Sequence, residues 1–239
     1  GAAVSMADAP FDVVERSIPL PDSSGWYEDA ARTWPTKSLV AVRQGDEGML
    51  LVHDGFTEYE VTDNRDRAIA MTMLRCFSTA GNPTETYRYQ ELAECLGSHR
   101  FRYALELETD STAAMLRRAQ RFCQPIHAVQ TTGHPGELPP DGRFIQVEGD
   151  HFILTCMKRA EEEAAVLIRG YQEGENAAAV ILRPGFPVRR AVRVTLEELP
   201  LEELRIENGC VCLPVRGKEI VSVMLYQKDG ASNCAENDV

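Results

Sequence analysis

Long apolar runs are missing: nowhere do 18 apolar residues follow one another, and the first residues carry no basic stretch ahead of an apolar one. A membrane-spanning helix and a secretory signal are therefore not expected, and the default compartment is the cytoplasm. Aromatics are scarce at 7%, with only two Trp, so an extended aromatic platform of the kind that stacks on sugars is poorly supplied. Basic charge is also short: 25 Lys and Arg against 37 Asp and Glu give a net charge of -12, which repels phosphate backbones and anionic bilayers. Neither nucleic acid nor membrane is an expected partner.

Familiar catalytic signatures are absent as well. No G-x-S-x-G elbow occurs, and the glycines form no phosphate-cradling loop. The five histidines, His53, His99, His127, His134 and His151, show neither H-x-x-x-H nor H-x-D spacing. Cys210 and Cys212 lie two apart, which would aim both sulfurs to one face of a strand, but no second pair follows to complete four zinc ligands. They read as small core side chains beside Val211, and the seven cysteines as mostly buried thiols in a reducing compartment. The acid-rich stretches around 161–163 and 173–175 read as solvated turns rather than paired carboxylates, so no catalytic residue is expected in this chain.

At 44% hydrophobic and 26% charged, the chain folds, and the period of its apolar residues is mostly two. Segments 49–53, 57–61, 68–75, 101–107 and 151–158 predict strands, as do 164–171, 177–183, 191–196, 210–215 and 219–226. Strands recurring about every ten residues predict a β-sandwich. A helix is predicted over 110–123, where capping residues precede Ala113, Leu116, Ala119 and Phe122. The Pro- and Gly-rich stretch 131–142 marks a boundary between a larger domain, 1–137, and a smaller one, 138–239.

Alternation in 68–75 puts Ile69, Met71 and Met73 on one face that ends at Arg75. That guanidinium either covers the sheet rim and pairs with a structural carboxylate, or donates to a sugar hydroxyl or site carboxylate. Trp26 and Trp34 are the other candidates for stacking on a sugar ring, with packing against the sandwich as the plainer alternative.

The blocks "DEGMLLVHDGFTEYEV", "IAMTMLRCFS" and "CLGSHRFRYAL" stand in an order that resembles the carboxy-terminal region of glycoside hydrolase family 38, the α-mannosidases and mannosylglycerate hydrolases. "PFDVVERSIPLP", "RFCQPIHAV" and the closing "VTLEELPLEELRIENGCVCLPVRGKEIVSVML" extend the likeness from about Pro10 to Tyr226. The resemblance implies an all-β fold: a large sandwich of the galactose mutarotase-like supersandwich type, then a smaller sandwich, with one short helix. It implies a noncatalytic region behind a catalytic barrel that lies outside this chain and carries the zinc and nucleophile of a retaining mechanism on α-mannosides. No cofactor is then expected in the chain itself, and its partner is that amino-terminal catalytic domain.

On the same resemblance Gly97, His99, Phe101 and Tyr103 become structural or interdomain residues, and Arg75 the one candidate for an accessory substrate contact. Position 1 is Gly, and the match starts inside the family's large sandwich, so missing upstream strands and homo-oligomer formation through exposed edges are expected. A free-standing carbohydrate-binding module is the alternative.

Overall fold

A computed structural model describes residues 4–45, 47–81, 88–107, 111–133, 135–136 and 140–228. The predicted positions Asp110, His134 and the boundary at 137–138 lie outside these residues. The chain divides into two compact units, 1–126 and 127–239. Both are built on strands.

Unit 1 contains β1 (Val4–Ala9), β2 (Asp12–Ser17), β3 (Trp34–Pro35), β4 (Leu39–Gln44), β5 (Glu47–Asp54), β6 (Glu58–Val61) and β7 (Ile69–Met71). Then come β8 (Thr79–Ala80), β9 (Arg88–Tyr89), β10 (Arg102–Leu107) and α1 (Thr112–Cys123). A five-stranded sheet runs in the order β10-β5-β4-β1-β2, and a three-stranded sheet in the order β3-β6-β7. Tyr59 and Val61 of the small sheet pack on Ala7 and Val40 of the large one. The opposite face of the large sheet receives α1, which buries Ala113, Met115, Leu116 and Ala119. Its N-cap is Ser111, whose side chain accepts from Ala114 N, satisfying one of the donors that a helix start leaves unpaired.

Unit 2 contains β11 (Ile145–Glu148), β12 (Phe152–Arg159), β13 (Val166–Gln172), β14 (Ala178–Pro184) and β15 (Val188–Val194). It ends with β16 (Pro200–Glu203), β17 (Ile206–Glu207), β18 (Cys210–Val215) and β19 (Ile220–Gln227). Sheets ordered β11-β14-β18-β17 and β12-β13-β19-β15-β16 enclose a core of Val180, Leu182, Val211 and Leu213 from one and Phe152, Ile168, Val223 and Leu225 from the other. On its reverse side the five-stranded sheet buries Leu167, Val192, Met224 and Tyr226. Because both of its faces are covered, β19 is buried along six consecutive residues. Alternating inward residues on two antiparallel sheets make this the predicted sandwich.

Three expectations change. The strand over 68–75 stops at Met71, so the stripe ends before Met73 and Arg75. Its partner β6 begins at Glu58, which accepts the last bond from Thr72 N, and nothing remains for residues 73–75 to pair with. The cysteines are not mostly buried: of the six described, Cys76 is exposed and the others are half-buried. Cys210 and Cys212 do share a strand face, but it is the face turned away from the core, since Val211 between them is the residue that fills it. Arg183 reaches across to donate to the Cys210 sulfur at 2.9 Å.

Candidate functional site

Strand β10 forms the outer edge of the large sheet, and its register on β5 sets Tyr103 opposite His53, Leu105 opposite Leu51 and Leu107 opposite Met49. Side chains two apart share a face, so these apolar residues continue the face that carries Val40 and Val42 on β4. The small sheet covers only the inner part of that face. Beyond it lies a groove of about 860 Å³, floored by Met49, Leu51, Leu105 and Leu107 and walled by Met71 and Met73. Leu107 is 85% exposed at the edge. The other face of β10 is occupied: Glu106 pairs with Arg118 of α1 at 3.0 Å, and Arg102 lies over the Phe122 ring at 5.1 Å.

The G-x-H-x-F-x-Y block leads into this edge. Gly97 sits at φ 128°, a backbone region that L side chains rarely adopt, which accounts for glycine there. His99 is exposed, and its Nε2 lies 2.6 Å from the Cys95 carbonyl. Phe101 and Tyr103 both meet Phe56, at ring separations of 5.5 and 6.5 Å. Phe56 is almost fully buried and also stacks on His53 at 5.3 Å. The aromatic ladder therefore ties the edge strand to the turn that leads from β5 into the small sheet.

His53 anchors that ladder. Its Nε2 is 3.0 Å from Thr36 Oγ1, whose single proton faces two further acceptors, Leu39 O at 2.8 Å and Asp8 Oδ1 at 3.4 Å. Nε2 must then donate, leaving Nδ1 with no hydrogen-bond partner among the described residues. Desolvation by burial pushes the His53 pKa below its ordinary value, against the pull of Asp8 and Asp54. Because the folded state disfavours the proton that the unfolded chain takes up near pH 6.5, stability is complete above about that pH and declines below it. Unit 1 is expected to lose resistance to urea as pH falls below about 6.5, and His53→Asn to flatten this dependence, as read by Trp fluorescence. An equally steep dependence in the variant would exclude His53 as its source.

Arg75 stands apart from the groove floor. Its side chain is 76% exposed and pairs with Glu58 at 3.5 Å across a depression that Thr33 and Thr72 also line. Glu58 accepts from Thr33 Oγ1 at 2.8 Å and Thr72 Oγ1 at 2.9 Å. These two hydroxyls, and then Arg75, hold its carboxyl below the usual carboxylate range. Trp34 packs against the core of unit 1 with the Arg16 guanidinium 5.1 Å over its ring, whereas Trp26 is mostly exposed. The alternation of β5 and β10 was legible in the sequence. The roles of Glu58, Phe56 and Asp8 were not, because each depends on a partner at least 14 residues away.

Among the described residues no three His, Cys, Asp or Glu side chains converge so as to hold a metal ion. No helix among them is long and apolar enough to cross a membrane.

Residues 151–223, within unit 2, match the glycosyl hydrolases family 38 C-terminal beta sandwich domain. Over 219 residues the chain is 25% identical to a protein of Halalkalibacterium halodurans named "Putative mannosylglycerate hydrolase", covering 91% of this chain and 23% of that protein. An α-mannosidase from Enterococcus faecalis V583 superimposes with a TM-score of 0.76 at 25% identity, over 94% of this chain and 24% of its own. A second family 38 structure from Enterococcus faecalis shares the fold, with a TM-score of 0.74 over 94% of this chain and 25% of its own. The chain thus spans about a quarter of the length of the relatives it matches.

Proposed function

We propose, from the family 38 sandwich at residues 151–223, that this chain acts as the noncatalytic carboxy-terminal region of an α-mannosidase-type glycosidase. In this reading it scaffolds a separate zinc-bearing catalytic domain, in the cytoplasm, and the retaining hydrolysis of α-mannosides belongs to that domain. The observation that carries the proposal is the apolar half-face of unit 1, where Met49, Leu51, Leu105 and Leu107 lie beside the edge of β10 without a covering sheet among the described residues. Soluble monomers rarely leave such a face open, and an edge strand beside it invites further pairing. Arg75 and Glu58, on the neighbouring rim, form the accessory contact for a sugar hydroxyl in the assembled enzyme.

Calorimetric titration with an aryl α-mannoside in the presence of zinc tests this reading. No saturable heat and no released mannose are expected. Released mannose would overturn the noncatalytic assignment, and saturable heat without product would favour a free-standing carbohydrate-binding module. The open face also makes the isolated chain self-associate, to a dimer or beyond, in concentration-dependent light scattering. Leu105→Glu, which puts a charge on the groove floor, is expected to return it to a monomer with little change in stability, since Leu105 is already 58% exposed. A wild-type monomer at every concentration would refute self-association.

A further inference from the structure

Between β7 and β10 the chain makes an excursion whose two limbs are stitched together. Phe77 N donates to Ala93 O at 3.1 Å and Gln90 N to Ser78 O at 2.8 Å, while β8 pairs with β9 further out. Just outside the innermost of these bonds stand Cys76 and Cys95, one on each limb and both free. The bond from Phe77 N to Ala93 O holds the limbs that carry the two thiols side by side, and the Cys95 thiol is near enough to Cys76 to perturb it. Cys95 ends the single 3-10 turn Glu91–Glu94 in a left-handed conformation, φ 50°, that non-glycine residues seldom adopt, and the His99 ring nitrogen holds its carbonyl. Cys76 is exposed, so a reagent can reach the pair.

We propose that Cys76 and Cys95 form a reversible dithiol–disulfide site that clamps the base of this excursion. The oxidant is a small-molecule disulfide, RSSR. One cysteine thiolate attacks it, forming a mixed disulfide and expelling one thiolate; the second cysteine thiolate then attacks the protein-bound sulfur and expels the other. A sulfur–sulfur bond forms between residues 76 and 95, the two departing thiolates take up the two cysteine protons, and RSSR is reduced by two electrons to two RSH. Desolvation, and then the neighbouring Cys95, hold the Cys76 thiol above its ordinary pKa, so the reaction gains speed as pH rises. The bridge restrains the segment that runs from Arg75 to Tyr103, hence the rim of the groove, by removing conformations open to the reduced loop.

The test uses the whole chain in buffers of oxidised and reduced glutathione, followed by alkylation, digestion and mass spectrometry. Two of the seven cysteines are expected to escape alkylation at an oxidising poise, on a single linked peptide pair joining 76 to 95, and to return on reduction with dithiothreitol. In Cys76→Ser or Cys95→Ser the surviving member is expected to carry one glutathione instead. The proposal is overturned if both wild-type residues are alkylated as fully as Cys156, if each carries glutathione without bridging, or if they link to other cysteines.

Discussion

Asp8→Ala is expected to destabilise unit 1 by about 3–5 kcal/mol, a large part of the total stability of an ordinary domain. Asp8 lies on β1 with 3% of its surface exposed. Its Oδ1 accepts from three successive backbone amides, Lys37 N at 3.0 Å, Ser38 N at 2.8 Å and Leu39 N at 3.0 Å, and its Oδ2 from the Ser38 hydroxyl. One carboxylate thus closes the turn that delivers β4 into the middle of the large sheet. Alanine would leave those amides unpaired, Leu39 N in a buried position, and each such donor costs about 1–3 kcal/mol. It would also remove an acceptor from Thr36, which positions His53. Asp8→Asn keeps one oxygen for the amides and is expected to lose less than half as much. Both Trp residues of the chain, Trp26 and Trp34, lie in unit 1, so urea unfolding followed by Trp fluorescence isolates the effect. An unchanged midpoint for Asp8→Ala would show the carboxylate to be dispensable.

Gly170→Val is expected to cost unit 2 roughly 3 kcal/mol or more, the upper range for overfilling a packed core. Gly170 sits in β13 between β12 and β19, directly opposite Leu154. A Cβ there would stand 2.5 Å from two ring carbons of Phe152 and 2.6 Å from the Ile153 carbonyl oxygen. Phe152 is itself part of the sandwich core, so moving its ring opens a void, and the Ile153 carbonyl cannot move without shifting β12. Gly174→Ala is the control, since its nearest neighbours are His151 atoms at 3.6 and 3.7 Å, an ordinary contact. The midpoint followed by far-ultraviolet circular dichroism should fall in Gly170→Val and hold in Gly174→Ala. Equal midpoints for the two would mean that the strand pair yields more easily than its packing indicates.

The two substitutions show where sequence reasoning stops. Nothing in "VSMADA" distinguishes Asp8 from the other acidic residues, because the amides that it satisfies come from a turn about 30 residues later. Gly170 reads as a weak point in a strand, and only the ring of Phe152 beside it explains why glycine stands there. Arg75 was legible as a rim residue, but the alternation that seemed to place it on the stripe had no partner strand to enforce it. Phe101 and Tyr103 were legible as one face, and the ring of Phe56 gives that face its contact.

What the sequence determined by itself was local: the period of two in β5, β10 and β12 to β15, the capped helix α1, the turns, and through the order of its motif blocks the family 38 likeness. Alternation, capping and turn chemistry are written within a few residues of one another, so a single segment carries them. Tertiary structure alone decided which faces were covered. It put Cys210 and Cys212 outside the core, ended β7 at Met71, left Leu105 and Leu107 open and brought Cys76 to Cys95. Burial and pairing are properties of two segments at once, and the second segment lies too far along the chain for any local pattern to name it.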